Sequence, residues 1–247
     1  MTAARARFEL RHRWDAFAFP IFVLLIWIAV LMGFVPEVVE QVRTSSFDYP
    51  FLTHVHALVF TSWLVLLTVQ TALVRLRNVR FHRRLGLAAA CMVPLMVALG
   101  LTASVSMFRR FYAPDFLPLT LSMRIADMAS FGGAAAAGLA FRKSNPSAHK
   151  RLMLLATFCL TGAGFGRWWG DWMKARFGTG FVGRWSFDYP GVVILILLLA
   201  GYDLITRRRF NRPYMIAAAA VVVAQFVGVF VRDLSGWKPI AIMLIGR

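Results

Sequence analysis

The chain has 247 residues, of which 59% are hydrophobic and only 16% charged, with a mean hydropathy of +0.65. A water-soluble domain of this size carries nearer a quarter charged residues, so composition argues against one. The net charge of +17 invites nucleic acid as a partner, but it sits in short loops between apolar stretches. There it faces anionic lipid headgroups, and no nucleic-acid role is expected.

Seven apolar stretches are predicted as helices, over residues 17–36, 51–74, 85–108, 119–141, 152–169, 191–206 and 214–231. Each is long enough to cross a hydrocarbon core about 30 Å thick at about 1.5 Å per residue. Every second loop is basic: residues 75–84 read RLRNVRFHRR, 142–151 read RKSNPSAHKR and 207–213 read RRRFNRP, and Arg5, Arg7, Arg11 and Arg13 precede the first stretch. These segments hold most of the 28 Lys and Arg, with Glu9 among them and Asp15 and Asp203 at their edges. The positive-inside rule places them in the cytoplasm, with the N-terminus inside and the C-terminus outside. The first stretch follows basic residues as a signal peptide would. It is longer than an h-region, and residues 31–40 offer no small-x-small cleavage site, so it reads as an uncleaved anchor. The expected fold is an all-α membrane bundle in one domain, residues 1–247, multi-pass in a bacterial inner membrane.

After the first helix, three hairpins enter and return, their outer starts marked by Pro50, Pro118 and Pro190. Proline is tolerated there because a first-turn N–H has no helical partner to lose. SFDYP occurs at 46–50 and again at 186–190, and His82-Arg83-Arg84-Leu85 is echoed by His149-Lys150-Arg151-Leu152. A repeated two-helix unit explains these echoes. Small residues in FGGAAAAG (131–138) and at Gly162, Gly166 and Gly170 predict that the fourth and fifth helices pack closely together. Tryptophans 63, 168, 169, 172 and 185 are expected in an outer aromatic belt. Cys91 and Cys159 lie in mid-helix and read as small packing groups.

Ionisable groups within spanning helices are costly, which makes each a functional candidate. His54, His56, Arg124, Asp127, Arg167 and Asp171 fall at similar depth near the outer side and predict a polar ligand pocket between the second, fourth and fifth helices. A structural network of ion pairs remains the other reading. At the inner side, His82, Arg83, Arg84, His149, Lys150 and Arg151 stand at helix N-termini, where free N–H groups and cations suit a lipid phosphate or another anion.

Five histidines in a helical membrane bundle also suggest haem b, held between imidazoles on neighbouring helices. Against this, His82 and His149 are expected at headgroup level and His54 and His56 on the other side, with no evident pair at one depth inside the hydrocarbon. Any bare metal site would have to use His54 and His56, which point about 200° apart on a helix. No HExxH, CxxC, P-loop or GxSxG pattern is present, no GxGxxG stands out as a dinucleotide-binding turn, and no cofactor is expected on the leading reading. The tail 232–247 is too short to cross again and is expected along the outer interface.

These motifs resemble a bacterial family of predicted multi-pass membrane proteins defined only as a domain of unknown function. The likeness spans His54 to Arg167. It rests on a histidine opening a helix (His54 or His56), Gln70 near that helix's end, and His82-Arg83-Arg84-Leu85-Gly86. The second motif, His149-Lys150-Arg151-Leu152-Met153, follows, with Arg167 beyond it. The family has Trp before that Met where this chain has Leu152. The resemblance carries no activity and points to His82, His149 and Arg167 as residues to test. The leading expectation is therefore a non-enzymatic protein that binds a lipid, quinone or other small ligand, or serves a membrane complex as an accessory subunit, with membrane lipids and other subunits or further copies of itself as partners. A haem-b or metal-binding redox protein is the second reading, and a small-molecule transporter the third.

Overall fold

The computed structural model describes residue 8, residues 12–45 and residues 48–247. Arg5, Arg7, Glu9 and Arg11, and the first two residues of the 46–50 copy of SFDYP, lie outside the described residues. Every regular element among the described residues is helical: α1 Asp15–Thr44, α2 Phe51–Arg75, α3 Val79–Arg110, α4 Leu121–Ala140, α5 Pro146–Leu160, α6 Gly162–Phe177, α7 Phe181–Asp188, α8 Pro190–Arg207, α9 Arg212–Arg232 and α10 Trp237–Leu244. A 3-10 turn, Pro118–Thr120, leads into α4. Five of these helices, α1, α2, α3, α8 and α9, are long and apolar enough to cross a membrane.

Asparagine sets the start of three helices. Asn78, Asn145 and Asn211 each stand at the N-cap of α3, α5 or α9 and accept a backbone N–H from three residues on. That bond satisfies one of the four donors a helix start leaves free. It also explains why α3 and α5 begin six residues before the apolar stretches do: once the cap is in place, the basic residues form the first turns. At the other ends, Pro50 caps α2, Pro118 opens the 3-10 turn and Pro190 opens α8. α1 runs past Pro36 to Thr44, about 45 Å at 1.5 Å per residue. Its polar last turns therefore outreach an apolar core of about 30 Å.

The fifth predicted stretch is two helices, not one. The chain bends at Thr161, whose hydroxyl donates to the Phe158 carbonyl at 2.7 Å while its own carbonyl accepts from Gly164 and Phe165 at 3.0 Å. Glycines at 162 and 164 hold helical geometry weakly and make that bend inexpensive. They also allow close approach. A methyl group on Gly33 would stand 2.2 Å from the Gly164 carbonyl oxygen, so α1 and α6 cross backbone to backbone.

α5 is the centre of the bundle. Leu152, Leu154, Leu155, Ala156 and Phe158 are all buried in one core with Phe22 and Ile26 of α1, Phe131 of α4, Leu199 of α8 and Tyr214 of α9. α4 packs along α5, with Gly138 against Leu152 and Met153. Gly162, Gly166 and Gly170 instead face Asp188, Phe187 and Val192 of α7 and α8. α2 and α3 form a tight hairpin, whereas α9 lies against α4 more than against its sequence neighbour α8. Trp63 departs from the expected belt. It is buried, its indole N–H donating to Thr157 Oγ1 at 3.1 Å, while Trp168 and Trp172 are exposed. Cys159 is buried and Cys91 exposed, both free. The tail forms α10, which anchors itself through the Trp237 indole to the Leu119 carbonyl at 2.9 Å and buries Ala241, with Ile245 buried just beyond its end.

Candidate ligand site at the basic end

Charged side chains gather at two ends of the bundle. At the end away from the basic loops, the six residues expected to form one pocket are divided among separate partners. Arg124 of α4 is held by Asp188 at 2.8 Å and by Asp127 at 3.3 Å. Arg167 of α6 donates to Glu37 of α1 at 2.5 Å and to the Ala163 carbonyl at 3.1 Å, and its guanidinium covers Phe34 at 4.5 Å. Tyr49 donates to the same Glu37 at 2.5 Å. The Tyr49 hydroxyl, between the membrane helices, is pushed above its usual pKa by burial first and by that carboxylate second. His56 stacks on Phe60 with ring centres 3.9 Å apart, and its buried Nδ1 has no hydrogen-bond partner. His54 and Asp171 are exposed. Asp171 is four residues beyond Arg167, yet Glu37 takes that guanidinium instead. What gathers here is a pair of ion clusters, with Glu37 and Asp188 as members that position alone did not suggest.

At the basic end the six expected anion-binding residues divide differently. Arg151 is wholly buried and grips the equally buried Asp203 of α8 with two nitrogens, Nε lying 2.6 Å from Oδ2. Its third nitrogen, Nη1, donates to the Ser147 carbonyl and hydroxyl at 2.9 and 2.7 Å. Lys150 donates to Asp15 of α1 at 2.6 Å, and Arg207 reaches both oxygens of that carboxylate at 2.8 Å. The Tyr202 hydroxyl completes the set at 2.6 Å. Phe8 covers the Arg151 and Arg207 guanidinium groups at 4.8 and 5.4 Å. This network ties α1, α5 and α8 together, seals Arg151 away from any lipid phosphate and engages one N–H of the partly exposed Lys150. Arg83 and Arg84 are exposed and available.

The histidines of the same two motifs converge. His82 of α3 and His149 of α5 have ring centres 6.4 Å apart, with planes at 77°. Each is the fourth residue of its helix, because Asn78 and Asn145 cap at the same spacing. His149 Nδ1 bonds to the Gly138 carbonyl of α4 at 2.8 Å. A carbonyl only accepts, so that nitrogen carries the proton and Nε2 keeps its lone pair. The backbone of Gln70 lies against His82, whose buried Nδ1 lacks a well-formed hydrogen bond, and the buried Gln70 Oε1 lacks a partner too. The sequence placed both histidines at the basic end without pairing them; the hairpins α2–α3 and α4–α5 bring them together across the end of α4. Among the described residues no three or more His, Cys, Asp or Glu are grouped to hold a metal ion. The sequence signal for the pair was present in Asn78 and Asn145, each four residues before its histidine.

The chain defines an all-helical protein with several membrane-length apolar helices. It matches no family model, no curated protein and no solved structure.

Proposed function

We propose that the chain is a multi-pass protein of a bacterial inner membrane that binds a small membrane-borne ligand at its basic end, acting as a ligand-binding or accessory subunit without catalysis of its own. In this reading it crosses the membrane seven times. α4 and the joined α5–α6 unit supply two crossings beside the five long apolar helices. The basic loops face the cytoplasm, with the N-terminus inside and the C-terminus outside. Kinship to the domain of unknown function that its motifs resemble belongs to the same proposal. Reporter fusions placed after Arg208 and after Asp233 test the orientation: the first is expected to report cytoplasm and the second the opposite side.

One observation carries the functional reading. Among the described residues at the basic end, Asp15 and Asp203 are taken by cations, while His82, which faces His149, and the adjacent Gln70 each keep a buried polar atom without a well-formed hydrogen bond. Buried polar atoms left unpaired are costly, and here they lie beside two facing imidazoles and exposed cations, a combination that supports a bound ligand. Mass spectrometry of small molecules that co-purify with the detergent-solubilised protein tests it. The expected result is a molecule retained by Arg124→Ala and Arg167→Ala and lost from the His82→Ala/His149→Ala double variant. Retention of the same molecules by the double variant would sink this site.

A further inference from the structure

The facing histidines also specify which ligand, an inference that rests on the reading of the site just given. We propose that His82 and His149 bind the iron of a haem, one imidazole on each side of the macrocycle. Their spacing is the first reason. Two imidazole nitrogens, each about 2.0 Å from a shared metal, put the ring centres about 6 Å apart, and these centres are 6.4 Å apart. The 77° between the planes is compatible, since the two axial imidazole planes of a haem need not be parallel.

Ligand count is the second reason. Two histidines with no third His, Cys, Asp or Glu grouped with them among the described residues leave a bare zinc or copper ion short of protein ligands. Haem brings four nitrogens of its own and asks the protein for the two axial positions, which helices of a membrane bundle supply from opposite sides. The third is the state of the ring. By donating Nδ1–H to the Gly138 carbonyl, His149 is fixed in the tautomer whose Nε2 can ligate, the outer-shell bond that ligating histidines ordinarily make.

Charge supplies the fourth. Haem carries two carboxylates, and these need cations at the membrane surface beside the axial ligands. Arg83 adjoins His82, and Arg142 lies close enough to act on His149. Arg83, Arg84 and Lys143 are exposed and have no carboxylate partner among the described residues. Lys150 and Arg151, by contrast, are already engaged by Asp15 and Asp203. Cations are thus left over on the side of the bundle where the carboxylates would emerge.

The test is a spectrum of the whole chain purified in detergent from cells fed a haem precursor, air-oxidised and then dithionite-reduced, followed by titration of any haem-free protein with haemin. One haem per chain with a six-coordinate, low-spin spectrum is expected. His82→Ala and His149→Ala should each weaken haemin binding by at least about tenfold, while His56→Ala leaves it unchanged. His149→Met is the second variant: it should retain haem with a raised reduction potential, as Met in place of His does at an axial position. Monomeric elution from a sizing column confirms that each variant folds. A colourless protein that takes up no haemin overturns the proposal, as does bound haem indifferent to both substitutions. If haem fails but another co-purifying molecule is lost from the double histidine variant, haem ligation is wrong and the ligand site stands. If nothing that co-purifies responds to the double variant, both fall.

Discussion

α3 and α5 open with the same wording and put it to different uses. Asn78 and Asn145 cap them, His82 and His149 stand four residues on, and two cations and a leucine follow in each. The histidines end as partners 6.4 Å apart. The cations separate completely: Arg83 and Arg84 are exposed, while Lys150 is drawn to Asp15 and Arg151 is sealed against Asp203. The shared cap fixes backbone geometry and so the direction of the fourth side chain in both helices. Neighbours decide the rest. α5 runs through the middle of the bundle with α1 and α8 beside it, and both helices present carboxylates. α3 pairs with α2 and α4, and no carboxylate among the described residues meets Arg83 or Arg84. A local repeat therefore transmits a histidine's position reliably but not the work of the charge that follows it.

The sharpest way to break this contrast is to remove Arg151 or Asp203. Removing Arg151 leaves the buried Asp203 with Arg207 alone at 3.7 Å, and removing Asp203 leaves the buried Arg151 with Ser147 alone; breaking a buried pair in this way costs about 3–5 kcal/mol. Arg151→Ala should therefore abolish recovery of monodisperse protein or lower its melting temperature in detergent more than any other substitution in either motif. The paired change Arg151→Met/Asp203→Leu should recover much of that loss, because a well-packed apolar pair replaces the ions at little cost. If Arg151→Ala melts like the wild type, the buried pair is not what distinguishes α5 from α3. Lys150→Ala is expected to cost about 1 kcal/mol, since Asp15 keeps Arg207 and Tyr202. Thermal unfolding read by intrinsic tryptophan fluorescence ranks the three.

Much of this fold is legible in the sequence because lipid imposes a coarse grammar. Long apolar runs, basic loops and helix-opening prolines mark where helices begin and end, and α1, α2, α3, α8 and α9 follow from them. Position in three dimensions is less legible. Thr161 bends the chain inside an apolar run whose hydropathy gives no warning. α7 forms from residues 181–188, which read as loop, and it delivers Asp188 to Arg124. Trp63 looks like a belt residue by depth but faces inward to Thr157. For the site, depth grouped Arg167 with Asp171, yet Glu37, 130 residues away, takes the guanidinium at 2.5 Å. Depth estimates place residues along the membrane normal and say nothing about which way they face around the helix axis. That rotational freedom is what hid the meeting of His82 and His149.

The caps sharpen the comparison at a smaller scale. Asn145 accepts from Ala148 at 3.0 Å in a partly buried turn, and Asn78 accepts from Phe81 at 3.3 Å in an exposed one. Replacing such a cap with alanine costs about 1 kcal/mol, and water can take over the freed N–H more easily at the exposed site. Asn145→Ala should therefore lower the melting temperature more than Asn78→Ala. Equal losses would mean that the shared capping geometry, not the burial around it, sets the energy.

Arg83→Ala and Arg84→Ala should be the mildest changes, within about 0.5 kcal/mol of wild type. Neither side chain has an ion-pair partner among the described residues, so unfolding should hardly register their loss. Their contribution is instead tied to what lies outside the protein. If they serve a carboxylate-bearing ligand or anionic headgroups, binding should weaken as salt is raised and in either alanine variant, while stability stays put. A double variant that binds as tightly as wild type across that salt range would leave the cations of α3 with no role beyond orienting the helix, and the two copies of the motif would then differ in packing alone.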